Sequence, residues 1–246
     1  MSLSSCCLKG FEWSGTPTGK VSKLGANDVY IAGTNPDAAI LIVHDIFGWT
    51  FNNARLLADH YAREANATVY LPDFFGGWVV DPAPFIDGDF SKFDAERFRA
   101  LNGRDVREPE IFAAARELRG THKKLGAIGF CYGGWAVLRL AAKEHTPPLV
   151  DCVATAHPSL LTHKDIDDVA VPVQLLAPEN DFTFTAELKS YAFDTLQKNN
   201  VQFDYRYFPG IEHGALVRGD DRKPGERIAM ARAKDEAVSW FNQFLH

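Results

Sequence analysis

Apolar and polar positions follow two rhythms along this chain. Ala38-Ala39-Ile40-Leu41-Ile42-Val43 is continuously apolar and β-rich, the pattern of a strand buried on both faces. Asn53 to Glu64 then carries Leu56, Leu57, Tyr61 and Ala62 at helical spacing, so it reads as a half-buried helix. The two rhythms alternate to the end of the chain. Val29–Ala32, Thr68–Leu71, Lys124–Ile128, Leu149–Thr155, Val171–Ala177 and Gln202–Tyr207 read as strands. Lys92–Asn102, Val106–Leu118, Trp135–Lys143, Thr185–Lys198 and Glu226–Phe244 read as helices. Such alternation predicts an α/β chain, with a mostly parallel central sheet and helices on both faces. Residues 1–20, rich in Ser, Gly, Thr and Pro, read as a wrapping loop. No repeat or linker marks a second domain, so 1–246 reads as one domain.

Composition narrows the classes. A formal net charge of −6, with basic residues beside acidic ones as in Lys92 to Arg97, gives no electrostatic footprint for nucleic acid. No apolar segment approaches the ~18–20 residues that span a bilayer, and the N-terminus lacks a basic start with a long apolar run. Of four cysteines, Cys6 and Cys7 are adjacent and Cys131 and Cys152 lie in or beside apolar runs. They form neither a disulfide framework nor a Cys-x-x-Cys pair. A reducing, cytoplasmic setting is expected; a monomer and a homodimer fit equally. Asp73 to Asp89, with its prolines, glycines and aromatics, reads as a pocket wall or a plain surface loop.

The chemistry concentrates at Gly129-Phe130-Cys131-Tyr132-Gly133-Gly134. An apolar run ends there and a helical run begins, with a thiol at the tip. In a nucleophile elbow, glycines relieve the crowding around a strained nucleophile. In parallel sheets reactive groups gather beyond the carboxyl ends of strands, and two later strands end in matching candidates. Asp181 follows Val173–Ala177, and His213 follows Tyr205–Phe208. The order nucleophile, acid, histidine is that of an α/β-hydrolase fold. His213 would take and return the proton of Cys131, while Asp181, with Glu179 as its nearest rival, would orient the imidazole. The backbone N–H groups of Tyr132 and Ile46 are the candidate oxyanion donors. His44, Asp45, His157 and His163 could also suggest a metal, but their spacing matches no zinc signature. Neither metal nor cofactor is expected.

These residues resemble the dienelactone hydrolase family, especially its fungal members, from about Val29 to Leu245. The marks are His44-Asp45-Ile46-Phe47-Gly48, the cysteine elbow, Asn180-Asp181, and His213-Gly214 followed by Arg218. The resemblance implies an α/β-hydrolase fold and a Cys-His-Asp triad acting on a lactone or small ester through an S-acyl intermediate. It also marks departures. Bacterial relatives carry glutamate where this chain has Asp45, and an arginine near Gly76-Gly77 is absent here. Arg218 matches their second substrate-binding arginine only loosely. A carboxylated dienelactone is therefore a weak candidate. Trp49, Phe74, Phe75, Trp78 and Phe85 suggest a more apolar pocket, or ordinary core and loop packing, and Asp45, Phe47, Trp49, Phe75, Trp78 and Arg218 are the candidate substrate contacts. A non-hydrolytic binding or thiol redox-sensing protein, and an acyltransferase or thioesterase, are the alternatives on the same scaffold.

Overall fold

The computed structural model describes residues 12–81 and 93–246. Eight strands form one sheet in the order β1-β2-β4-β3-β5-β6-β7-β8. These are β1 (Lys20–Leu24), β2 (Asn27–Ala32), β3 (Ala38–Val43), β4 (Thr68–Pro72), β5 (Lys124–Phe130), β6 (Cys152–Ala156), β7 (Val173–Asn180) and β8 (Phe203–Glu212). The pairs β1–β2 and β2–β4 are antiparallel, and every later pair is parallel. The helices are α1 (Asn52–Glu64), α2 (Ala95–Asn102), α3 (Arg104–Thr121), α4 (Gly133–Leu140), α5 (His163–Asp167), α6 (Ala186–Lys198), α7 (Ala215–Arg218) and α8 (Pro224–Leu245).

The period-two geometry of a strand explains how one apolar run feeds two cores. In β3, Ala39, Leu41 and Val43 join the cluster under α3, α4 and α6. Ala38, Ile40 and Ile42 join the cluster under α1 and α8. All six are buried, and each of Ile40, Leu41 and Ile42 contributes roughly 1.5–3 kcal/mol against the entropy of ordering the chain. A charge at Leu41 would break this centre, because no water or partner reaches it.

Several element boundaries differ from the sequence reading, each for a visible reason. Lys20–Leu24, where the sequence reading placed no strand, is an edge strand whose first four residues are exposed, so it carries no apolar signature. The helix expected from Trp135 begins at Gly133 and ends at Leu140, which brings its N-terminus to the cysteine. The strand expected from Leu149 begins at Cys152. Both β7 and β8 run past their expected ends to Asn180 and Glu212. Prolines are tolerated there because the β6–β7 ladder stops at Ala156↔Leu176, so Pro178 owes no hydrogen bond to that side. Among the described residues no helix is long and apolar enough to cross a membrane.

Candidate active site

The site lies beyond the carboxyl ends of β3, β5, β6, β7 and β8. Cys131 follows β5 directly and holds a left-handed backbone, φ +48°, a conformation disfavoured for a side-chain-bearing residue. Two bonds pin the turn: the Cys131 N–H donates to the Ala156 carbonyl (3.1 Å), and the Gly134 N–H to the Cys131 carbonyl (3.0 Å). The glycines are required by proximity. A Cβ on Gly129 would stand 2.2 Å from the Gly133 oxygen, and one on Gly133 2.0 Å from the Val43 oxygen. The N-terminus of α4 therefore abuts the sulfur, where its dipole favours a thiolate.

The last register pair of β7 and β8 is Asn180↔Glu212, and the His213 N–H donates to the Asn180 carbonyl at 2.9 Å. This sets Asp181 and His213 side by side. His213 Nδ1–H donates to Asp181 Oδ1 at 2.9 Å, while Nε2 lies 3.2 Å from Cys131 Sγ. The three residues grouped by chain order thus form one hydrogen-bonded row, and all are buried. Glu179 stays outside it: its exposed carboxylate accepts from the Gly210 N–H at 2.6 Å.

Electrostatics reinforce the row. Burial alone would lower the His213 pKa, but the charge of Cys131 and hydrogen bonds with Asp181 and Cys131 outweigh it and raise the pKa to about 9. Burial would raise Asp181, yet the hydrogen bond and charge of His213, with the N–H groups of Phe184 and Thr183, hold its carboxyl well below the usual range. The imidazolium and its carboxylate are mutually supporting.

Around the row stand residues that the sequence reading had not singled out. Ser159 Oγ lies 3.3 Å from Cys131 Sγ. Thr183 Oγ1 lies 2.9 Å from Asp181 Oδ1 and 3.2 Å from His213 Nδ1. The Phe182 ring, partly exposed, sits 5.0 Å from that of His213. The only local signal was Asp181-Phe182-Thr183, an aspartate capping the N–H two residues on (2.9 Å). Ser159 carried no such mark, because its approach to the elbow is purely tertiary.

Ile46 and Tyr132 are both buried; Tyr132 follows Cys131 directly, and Ile46 follows Asp45, on which the charge of Cys131 acts. Asp45 accepts from the Phe47 N–H (2.9 Å) through Oδ1, and its Oδ2 lies 3.0 Å from Arg218 Nε. Both side chains of this ion pair are buried, and the Arg218 guanidinium also lies 5.2 Å from the Phe47 ring centroid. Burial raises the Asp45 pKa to about 6, against the opposing charge of Arg218. Arg218, a candidate substrate contact from the sequence, is thus committed to Asp45 inside the protein.

The aromatic candidates divide. Phe75 packs 5.0 Å from the Tyr132 ring, and both Phe75 and Trp78 pack edge-on against Phe98, at 5.1 and 6.1 Å. Phe47 and Phe74 share that cluster. Trp49 packs with the opposite cluster, beneath the Arg55 guanidinium at 4.8 Å, and does not join them. Phe85, Cys6 and Cys7 lie outside the described residues.

The metal candidates are also dispersed. His44 uses both ring nitrogens, Nδ1 on the Asp45 carbonyl (2.8 Å) and Nε2 accepting from the Phe74 N–H (3.2 Å), and burial lowers its pKa to about 4. His163 stacks on Tyr191 at 4.0 Å. His157 is buried edge-on against His213 at 5.1 Å, its pKa lowered to about 3 by burial. Among the described residues no group of three or more His, Cys, Asp or Glu side chains could hold a metal ion.

Comparison with known proteins gives a consistent outcome. Residues 28–245 match the dienelactone hydrolase family. The hydrolase tropI of Talaromyces stipitatus is 31% identical, over 98% of this chain and 96% of its own. The hydrolase pyvD of Aspergillus violaceofuscus is 31% identical, over 98% and 97%. In structure, a dienelactone hydrolase from Anabaena variabilis superposes with a TM-score of 0.65 at 19% identity, over 93% of this chain and 98% of its own. At that identity the likeness speaks for the α/β-hydrolase fold alone.

Proposed function

The chain belongs to the dienelactone hydrolase family and is a carboxylic ester hydrolase, and from this premise we propose that it cleaves an uncharged lactone or small ester through an S-acyl intermediate on Cys131. The observation that carries the reading is the row Sγ–Nε2 at 3.2 Å and Nδ1–Oδ1 at 2.9 Å at the ends of three strands. Nucleophile, base and orienting acid need this geometry.

In the first step the Cys131 thiolate attacks the carbonyl carbon. The N–H groups of Tyr132 and Ile46 receive the developing oxyanion, each contributing roughly 3–4 kcal/mol. Collapse breaks the carbon–oxygen bond, and the departing alkoxide takes the proton from His213 Nε2. In a lactone that alcohol stays attached to the acyl chain. A water molecule then attacks the thioester, His213 takes its proton, and the carbon–sulfur bond breaks to restore thiolate and imidazolium. Asp181 keeps its charge throughout and fixes the imidazole tautomer. No step calls for a cofactor.

The uncharged substrate follows from Arg218. A guanidinium buried beside Asp45 at 3.0 Å is a poor anchor for a substrate carboxylate, because freeing it would strand a buried anion. The aromatic group of Phe75, Trp78 and Phe98 favours an apolar acyl or aryl group. The test is hydrolysis of paired substrates, a p-nitrophenyl ester or neutral lactone and the same compound bearing a carboxylate, by wild type and Cys131→Ala. Turnover of the neutral member alone, abolished in the variant, is the expected result. Preference for the carboxylated member would refute the substrate class, and turnover by the variant would refute the mechanism.

A further inference from the structure

The turn after β6, His157-Pro158-Ser159, is tied to the elbow more closely than a neighbouring loop needs to be. The Ser159 N–H donates to the Cys131 carbonyl at 2.8 Å, just as the Cys131 N–H donates to Ala156 at 3.1 Å. His157 and Leu160, on either side of the Pro158-Ser159 pair, both hold left-handed backbone, φ +41° and +60°. The outcome of this constrained turn is the hydroxyl of a buried residue, Ser159 being 6% exposed, at 3.3 Å from the cysteine sulfur.

Hydrogen-bond accounting decides where the Ser159 proton goes. Thr183 Oγ1 has one proton and two strong acceptors within reach, the Pro158 carbonyl at 3.0 Å and Asp181 Oδ1 at 2.9 Å. Its lone pairs therefore face Ser159 Oγ, 3.4 Å away. The Ser159 proton has two destinations, Sγ or Thr183 Oγ1. A thiolate is a charged acceptor and wins; a neutral, acylated sulfur is a weak one and loses. Ser159 can thus follow the charge on the sulfur with a small rotation of one hydroxyl.

We propose that Ser159 is a further catalytic residue, whose O–H donates to the Cys131 thiolate and stabilises it as the leaving group when the S-acyl intermediate is hydrolysed. The inference rests on Cys131 being the nucleophile. Its step is the second half of the reaction. Water adds to the thioester carbonyl with its proton passing to His213 Nε2; the carbon–sulfur pair returns to Sγ as that bond breaks; the Ser159 O–H turns from Thr183 Oγ1 to the new anion without itself being lost. The same bond enlarges the resting thiolate population. Thr183 acts through Ser159 and Asp181, as a positioning residue.

The titration of Cys131 can be read without turnover, as thiolate absorbance near 240 nm in wild type minus Cys131→Ala. The other titratable or charged groups that act on or lie beside this sulfur are His213, His157 and Asp45, with Arg218 and Asp181 behind them, and none is altered by changing Ser159. Ser159→Ala should move the thiolate titration up by about one pH unit, a tenfold smaller thiolate population. Rapid-quench mass spectrometry with a p-nitrophenyl ester should show acyl-enzyme accumulating, with deacylation slowed about tenfold and acylation above the titration changed less. Ser159→Thr, which keeps the hydroxyl, should restore the wild-type titration. If Ser159→Ala fails to fold by circular dichroism, Ser159→Gly gives the same deletion without a methyl group. An unshifted titration together with unchanged deacylation in the deletion variant overturns the proposal. Hydrolysis persisting in Cys131→Ala would instead overturn the nucleophile assignment.

Discussion

Two buried thiols stand at opposite ends of neighbouring strands of this sheet, and they have opposite surroundings. Cys152 opens β6 at the amino end, paired in register with Gly126 and packed in the cluster that includes Phe241 of α8. Cys131 stands past the carboxyl end of β5, beside His213 and the first turn of α4. Burial drives the Cys152 thiol far up, and the charge of Asp151 adds to this. Cys131 is as deeply buried, yet an imidazolium, a serine hydroxyl and a helix N-terminus all favour its anion. On the proposed mechanism, burial does not decide which thiol reacts; the end of the strand does, because there loops bring polar partners to the sulfur.

The largest effect expected is a separation of the two cysteines by mutation. Cys131→Ala should lower kcat/KM by at least about 10⁴-fold with little change in melting temperature. Cys152→Ala should leave kcat/KM unchanged and lose roughly 1 kcal/mol of stability in urea titrations. A reversal of either result would erase the contrast. Asp181→Asn comes next: the His213 ring keeps its position but loses its anion, and kcat should fall about 10²- to 10⁴-fold. A loss of KM only would mean that Asp181 serves binding.

pH sharpens the same comparison. His213 has its pKa raised from 6.5 to about 9, so its charged pairing stabilises the fold fully below pH 6.5 and is lost as pH rises through about 9. Activity should fall through the same window if, as proposed, the imidazolium gives its proton to the leaving alcohol. His213→Gln should abolish this limb in a plot of melting temperature against pH, and its persistence there would assign the limb to another group. The Asp45–Arg218 pair should show in stability rather than in turnover. Arg218→Met leaves a buried carboxylate without its cation and should lose roughly 3–5 kcal/mol where Asp45 is ionised in both proteins. Without the opposing charge of Arg218 the Asp45 pKa rises further, so the loss should shrink as pH falls and be smallest below about pH 6, where wild-type Asp45 also takes a proton. A penalty constant with pH would show that packing over Phe47, not charge, is what Arg218 supplies.

Much of this was legible in the sequence because the signals were local. The apolar run of β3 and the glycines of the elbow each follow from short-range rules, and chain order alone paired Asp181 with His213. What was not legible is tertiary. The strand at Lys20–Leu24 is hidden by its exposed edge position. The short helix α5 is a single capping box, in which Thr162 and Asp165 satisfy each other's backbone N–H groups. Ser159 reaches Cys131 only because β5 and β6 are adjacent. Arg218 meets Asp45 only because α7 returns over the end of β3. Trp49 read like its aromatic neighbours, yet Gly48, with φ +80°, precedes it in a turn that carries its ring to the other face.

The central claim is that one of these two thiols carries an acyl group during turnover. Mixing the protein with a p-nitrophenyl ester, quenching in acid within the first turnover and mapping the peptides by mass spectrometry tests it directly. The account predicts one acyl group, on the peptide containing Cys131, with the Cys152 peptide unmodified. Hydrolysis proceeding at the wild-type rate in Cys131→Ala, or an acyl group found on another residue in wild type, would contradict it.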